Sequence, residues 1–365
     1  GKHSKDMARV IVIGAGLAGL ATAMEASVRG HHVVVLEQRS TIGGRASSEL
    51  RDDFPIGFGP HFLLKKGPLH RLVLKISRMK PSTLPLRPHR IELVGQGMMQ
   101  PRSPMVDAVL YRRAVRKYEL AHPSIRAAEH FASWGMGSEV RSKAFLRSKL
   151  LGLKEGWSGL IGRLAVTLDE VGVPIETGAK VTQIERNKVH LADGRHIETD
   201  VIILACGYRR SKQLLPDLPE CETLKASTID VALDSTPLGD KHAILDVKNS
   251  IGLFDLKQIH PGTSPSGSLL SAICFLDKSK EQRMEMLDKF LDQRAPGWRS
   301  HILHDRRQEQ VTVAIIGERP SHDSIMKKGI LLAGAWVESE HILSDGAVAS
   351  ARLAAESIAS IPLQK

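Results

Sequence analysis

An α/β fold is what the sequence predicts, and three stretches predict it. Residues 8–48, 152–207 and 329–359 each combine a short apolar strand, a glycine-bearing turn and a helix-forming run. At 365 residues the chain exceeds one small core and suits two domains. The intervening segments are then left for a second, α+β unit.

The first stretch is the most informative. Val10–Ile13 is β-branched throughout and stops at Gly14, which predicts a buried parallel strand. Gly14-Ala15-Gly16-Leu17-Ala18-Gly19 follows the pattern G-x-G-x-x-G. Its first glycine permits a tight turn, its second lets a diphosphate approach the backbone, and its third lets helix and strand pack closely. Helix formers run from Leu17 to Arg29, with Gly30 placed to end them. A second strand over His32–Leu36 leads to Glu37, where a carboxylate can accept hydrogen bonds from ribose hydroxyls. Strand, turn, helix, strand and acid arrive in register, so a dinucleotide ligand is expected; this fingerprint alone does not separate NAD from FAD.

Composition narrows the partners. The net charge of +11 suits an anionic cofactor, an acidic substrate, an anionic membrane surface or nucleic acid. Only 4% of residues are aromatic, and no zinc spacing or helix-turn-helix pattern is present, so no nucleic-acid partner is expected. Cys206, Cys221 and Cys274 are widely spaced and read as reduced thiols of a cytoplasmic protein, with no metal site. No apolar run approaches the roughly 20 residues that span a bilayer, and Val10–Ile13 is too short for a secretory apolar core.

A second glycine cluster specifies the cofactor. Glu37-Gln38-Arg39 and Gly43-Gly44-Arg45 form E-x-R-x-x-x-G-G-R. This run resembles a signature of FAD enzymes of the amine oxidase, phytoene desaturase and protoporphyrinogen oxidase superfamily. The resemblance implies FAD in a Rossmann-like domain, with Arg45 either neutralising diphosphate charge or lying near the flavin. It extends to "FPIGFGPHFLL" at 54–64, where Gly59, Pro60 and His61 are expected to pass over the flavin. His61 is the one candidate catalytic base, with packing beside the cofactor as the alternative role.

Two later blocks carry the resemblance further. Residues 152–207 open with an apolar helical period at Leu160, Leu164, Leu168 and Val171, then give short strands with a turn at Asp193-Gly194. The family resemblance places Val181 near the adenosine and brings Ala205, Cys206 and Gly207 back to the cofactor. Residues 329–359 predict a strand over Ile330–Ala333, a turn at Gly334-Ala335-Trp336, an N-cap at Ser344 and an Ala-rich helix from Asp345. Asp345, Gly346, Ala347 and Val348 are expected to face the flavin, where a helix N-terminus stabilises its reduced form. Ala335 stands where the family usually has an acid for the ribityl hydroxyls; Glu338 or Asp345 could replace it.

The implied domains are 7–65, 152–208 and 326–361 for FAD, with 66–151 and 209–325 for substrate. In the latter, Pro81, Pro85, Pro88, Pro101 and Pro104 break long elements, and 107–149 reads as a basic helical run. Strands are expected at Ala243–Val247, Leu269–Phe275 and Val311–Ile316, and a helix at Lys280–Arg294. The substrate part is short for the family, implying an open pocket or one completed by a partner or membrane. The implied activity is removal of hydride from an apolar isoprenoid-, carotenoid- or porphyrinogen-like substrate. With no second nucleotide motif, O2 or a quinone would accept the electrons. A flavin amine oxidase is the alternative, lowered by the scarcity of aromatics (8 Phe, 4 Trp and 3 Tyr); a non-catalytic FAD-binding scaffold is another. A homodimer and a peripheral membrane contact through "RSKAFLRSKLLGLK" are further expectations.

Overall fold

A computed structural model describes residues 7–46, 48–51, 54–57, 61–76, 81–95, 97–98, 150–246, 248–263, 266–323 and 325–363. The basic run 107–149, Pro101, Pro104, and the turn residues Gly59 and Pro60 lie outside the described residues.

In chain order the N-terminal elements are β1 (Arg9–Ile13), α1 (Leu17–Val28), β2 (His32–Leu36), β3 (Ser48–Arg51), β4 (Phe54–Gly57) and β5 (Leu63–Leu64). They continue with α2 (Pro68–Lys75), β6 (Thr83–Pro85), β7 (Ile91–Leu93), β8 (Gly97–Met98) and β9 (Leu150–Leu153). Next come α3 (Gly156–Glu170), β10 (Ile175–Glu176), β11 (Val181–Glu185), β12 (Lys188–Leu191), β13 (His196–Glu198), β14 (Val201–Leu204) and α4 (Tyr208–Leu214). The C-terminal part holds β15 (Glu222–Leu233), β16 (Ala243–Asp246), β17 (Ile251–Asp255), α5 (Leu256–Ile259), β18 (Ser268–Cys274), α6 (Lys280–Arg294), β19 (Ile302–Ile316), β20 (Ile330–Leu332) and α7 (Leu343–Ser357).

The chain is an α/β protein built on a parallel Rossmann-like sheet in the order β10-β2-β1-β14-β20. Parallel strands covered on both faces must be apolar where they are covered; β14 and β20 are apolar throughout, and β1 is from Val10 onward, after the exposed Arg9. On one face, α1 and α7 pack through small side chains, including Ala21, Ala23, Ala351 and Ala354. On the other, Ile11, Ile202 and Leu332 pack against Val181, Val189 and Leu191 of the meander β11-β12-β13. Gly194, with φ of +91°, makes the β12–β13 turn. Here Asp193 Oδ1 accepts the Arg195 N–H at 3.0 Å.

A second, mixed sheet runs β19-β15-β18-β17-β16-β7-β8. Its long antiparallel pair β15–β19 and strand β18 carry α6 on one face, where Leu287, Phe290, Leu291 and Trp298 are buried. Ser279 caps α6, accepting from Gln282 N, while the Gln282 side chain returns to the Ser279 N–H. The opposite face carries Ala226, Ile273, Phe275 and Phe254, packed with Phe62 and Leu150. That face looks toward the first sheet.

Several expected element ends move. Val171 is 57% exposed and lies beyond α3, because Gly172 turns the chain with φ of +77°. α7 begins at Leu343 with Ile342 at the N-cap, so Ser344 sits inside its first turn and caps nothing. β19 extends back to Ile302 because β15 offers it a partner along almost its whole length.

Two histidines are buried where the sheets meet loop backbone. His260 Nδ1 accepts from Leu153 N at 2.9 Å, and its Nε2 lies 3.2 Å from the His61 carbonyl, to which it donates. His242 Nδ1 accepts from Arg87 N at 3.4 Å. Burial lowers both from 6.5 to about 4, and Arg90, Arg87 and His89 push His242 in the same direction against Asp240.

Two expectations follow. At Gly19 a Cβ would lie 1.8 Å from the Gly14 carbonyl oxygen. Gly19→Ala should therefore cost about 3 kcal/mol or more by overpacking, read as a lowered chemical-denaturation midpoint. The unfolded chain protonates its histidines first as pH falls below 6.5, so stability is intact above that value. It should drop as pH falls toward 4, by up to ~1.4 kcal/mol per pH unit for each histidine, and His260→Gln should flatten the slope.

Candidate functional site

A cavity of about 570 Å3 lies between the Rossmann-like sheet and the inner face of the second sheet. Its floor is the β1–α1 turn. Gly14 has φ of +108°, and a Cβ there would come within 2.5 Å of the Ala205 carbonyl oxygen. Gly16 precedes α1, whose N-terminus has no side-chain cap, so its first N–H groups face outward unpaired by the chain's own side chains. The second glycine cluster rests directly on this turn. Gly43 N donates to Ala15 O at 2.8 Å, and a Cβ on Gly44 would be 3.3 Å from Gly16 Cα.

Glu37 sits at the end of β2, its carboxylate bound to backbone on both sides. Oε2 accepts from Ala15 N at 2.8 Å and Oε1 from Arg39 N at 3.1 Å. A carboxylate has about four acceptor positions, so two remain for a ligand's hydroxyls. Ala179, Val181, Ala205, Cys206 and Gly207 continue this wall. Arg210 reaches back to the Val181 carbonyl and ties α4 to β11.

The far wall is the Gly334–Trp336 turn. Ser350 Oγ accepts from Gly334 N at 2.9 Å, anchoring the turn to α7. Arg319 donates to the carbonyls of Ala335 at 3.1 Å and His341 at 2.8 Å, and also to that of Ser339. One guanidinium thus pins the loop leading into α7, and burial lowers its pKa. The loop ends at Leu343, which lines the cavity with φ of +55°, a left-handed conformation that a bulky side chain rarely adopts.

The roof comes from the second sheet and its approach. Phe62, Ile273, Phe275 and Val311 present apolar surface, and Thr228 donates to Gln308 Oε1 at 3.0 Å. Arg45 crosses from floor to roof, where Nη1 donates to the Thr312 and Val313 carbonyls, each at 3.1 Å. Arg45 keeps a solvent-exposed flank, and desolvation by the surrounding protein lowers its pKa. His61 Nε2–H donates to the Arg45 carbonyl at 2.8 Å, with its ring 5.0 Å from that of Trp157. Burial outweighs this bond and lowers His61 to about 4.

Nineteen of the residues expected from sequence line this one space: Gly14, Gly16, Leu17, Ala18, Glu37, Gln38, Arg39, Gly43, Gly44, Arg45, His61, Val181, Ala205, Cys206, Gly207, Gly334, Ala335, Trp336 and Ala347. Five described ones do not. Ala15 is fully buried behind the turn, and Gly19 packs on Gly14. Asp345 turns away to accept from Leu69 N at 3.0 Å, so it belongs to the start of α2. Gly346 packs beside the His341 carbonyl, and Val348 belongs to the core between α7 and the first sheet. Asp345 therefore does not replace the acid absent at Ala335, and neither does Glu338, which is exposed off the cavity wall.

Sequence reasoning missed the roof and Trp157, Arg210 and Leu343. Tyr208 lies 6.0 Å from Trp336, and Phe62, Phe275 and Trp157 add aromatic wall. Cys206 lines the cavity, and burial raises its thiol pKa.

The arrangement fits an extended dinucleotide. Glycines stand where a Cβ would fill the space, unpaired N–H groups sit at a helix N-terminus, and a carboxylate lies at the far end. Among the described residues no His, Cys, Asp and Glu cluster could hold a metal, and no helix is long and apolar enough to cross a membrane.

Comparisons with known proteins agree with this geometry. A model of the NAD(P)-binding Rossmann-like domain matches residues 12–75, and one of flavin containing amine oxidoreductases matches 109–275. The phytoene desaturase (neurosporene-forming) of Rhodobacter capsulatus is 41% identical over 59 residues, 16% of this chain. The match spans only 11% of that relative's length. Among solved structures, an oxidoreductase from Methanosarcina mazei superposes with a TM-score of 0.71 at 19% identity, covering 96% of this chain and 100% of the other. Cyclohexylamine oxidase from Brevibacterium oxydans gives 0.62 at 16% identity, covering 97% and 99%. Motif, cavity and family-model matches converge on the flavin-containing amine oxidase and phytoene desaturase superfamily, and together they support FAD as the cofactor.

Proposed function

We propose that this chain is an FAD-dependent oxidoreductase that removes a hydride from a C–H bond of an apolar substrate, in the manner of a desaturase or dehydrogenase. One observation carries the reading. A single cavity runs from the Glu37 end to a roof of Phe62, Ile273, Phe275 and Val311, and among the described residues the only carboxylate on its wall is Glu37.

In this reading FAD, when bound, supplies a two-electron acceptor. Gly14, Gly16, Gly43 and Gly44 admit its diphosphate to the backbone, with Arg45 offsetting the charge. Glu37 holds the ribose, and Val181 and Ala179 flank the adenosine. Gly334, Ala335, Trp336 and Ala347 contact the flavin end, where the start of α7 favours negative charge. The apolar roof orients the substrate and excludes water.

His61 is a positioning residue rather than a base. Its Nε2–H is committed to the Arg45 carbonyl, and an imidazole near 4 accepts a proton weakly at neutral pH. Electrons would leave to O2 or a quinone, since no second nucleotide motif is present in the sequence.

Amine oxidation is the second reading, favoured by the match to the amine oxidoreductase model and by the rings of Trp157, Phe62 and Phe275 on the wall. Bleaching of the flavin under anaerobic conditions separates the readings. Isoprenoid or porphyrinogen donors should bleach it, whereas bleaching by amines alone would transfer the assignment to amine oxidation. Full occupancy with no bleaching by any donor would leave a non-catalytic scaffold.

Purified protein should show bands near about 370 and 450 nm that pass into the supernatant on acid precipitation. Glu37→Ala should weaken FAD binding by about tenfold or more, measured by equilibrium dialysis, through loss of the ribose acceptor and the Ala15 N–H partner.

A further inference from the structure

Beside the main cavity lies a side chamber of about 370 Å3. It opens off the main cavity and shares a wall with it, including Arg45, Cys206, Gly207, Arg210, Ala335 and Trp336, while Tyr208, Arg209, Gln213, Ala314 and Ile315 line the chamber alone; it carries none of Gly14, Gly16, Gly43, Gly44 or Glu37. Its lining combines apolar surface, from Trp336, Val313 and Ile315, with the guanidinium groups of Arg209 and Arg210. Among the described residues no carboxylate lines it.

Among the described residues, Arg209 and Lys225 have no counter-ion. Arg209 is exposed and has no hydrogen-bond or ion-pair partner among the described residues. On neighbouring β15, Lys225 donates to the Thr312 hydroxyl at 2.7 Å and has no carboxylate partner. Burial and then repulsion from Arg209 lower the Lys225 pKa, so the two cations feel one another. Nearby acids are engaged elsewhere: Asp217 with Lys328, and Glu220 with Lys212 at 3.3 Å. Like charges facing an apolar wall without a counter-ion are stabilised when an anion enters.

We propose that this chamber receives the anionic end of the substrate, a carboxylate or phosphate on an apolar body, with Arg209, which lines it, as the recognising cation and Lys225, bonded to its Thr312, adding positive charge beside it. The apolar body then passes Trp336 into the main cavity. The assignment rests on the FAD reading above and adds the chemical class of the substrate: an amphipathic anion, not a plain hydrocarbon.

Calorimetric titration of the FAD-loaded protein with dodecanoate, dodecyl phosphate and uncharged dodecanol tests it. At least one of the anions should bind about tenfold or more tightly than dodecanol. The two anion arms tell a carboxylate end from a phosphate end. Arg209→Gln should erase most of that advantage, Arg209→Lys should retain most of it, and Arg352→Gln, on the far helix α7, should leave it intact. Equal binding of alcohol and anions, or equal losses in Arg209→Gln and Arg352→Gln, overturns the proposal. Flavin absorbance near about 450 nm, read on the same samples, is independent. Colourless protein would defeat the cofactor reading, whereas yellow protein indifferent to charge would defeat only the chamber assignment.

Discussion

Backbone lying directly on backbone is the constraint from which this site follows. The turn at Gly14–Gly16 touches the Ala205 carbonyl on one side and the Gly43–Gly44 turn on the other. Side chains at these places would push the three segments apart and fill the space a diphosphate needs. Because β1, β2 and β14 are hydrogen-bonded neighbours, the approach is held by the sheet rather than by the loops. The Gly43 N–H to Ala15 carbonyl bond then locks the second turn on the first.

The other end of the cavity is held differently. No sheet spans Gly334–Leu343, so hydrogen bonds do the work. Ser350 fixes the start of the loop, and Arg319 collects the carbonyls of Ala335, Ser339 and His341. A leucine with positive φ persists only where neighbours leave it no alternative, and the pinned loop supplies that condition at Leu343. A rigid floor and a stapled far wall together define one shape for the ligand.

Much of this was legible in the sequence. The β1–α1 turn, Glu37 and the Gly43-Gly44-Arg45 run are local patterns, in which each residue type answers a backbone or charge requirement a few residues away. The fold class followed from the same segments. The roof was not legible. Ile273, Phe275 and Val311 alternate along strands, and a period of two cannot say whether the apolar face meets another sheet or a cavity. Thr228 and Gln308 meet across β15 and β19, 80 residues apart, through pairing that no local signal encodes. Asp345 misled for a related reason: an acid at a helix start has several backbone N–H groups within reach, and Leu69 supplied the nearer one.

The Arg45 contacts have a consequence beyond the cofactor. β19 is a sheet-terminal strand of 15 residues, a length that invites another polypeptide to add itself alongside. Arg45 occupies the carbonyls of Thr312 and Val313, and the segment from His304 to Glu309 bristles with charge. The same side chain that closes the cavity thereby blunts a template for cross-β aggregation, coupling the safety of the sheet margin to the integrity of the glycine turn.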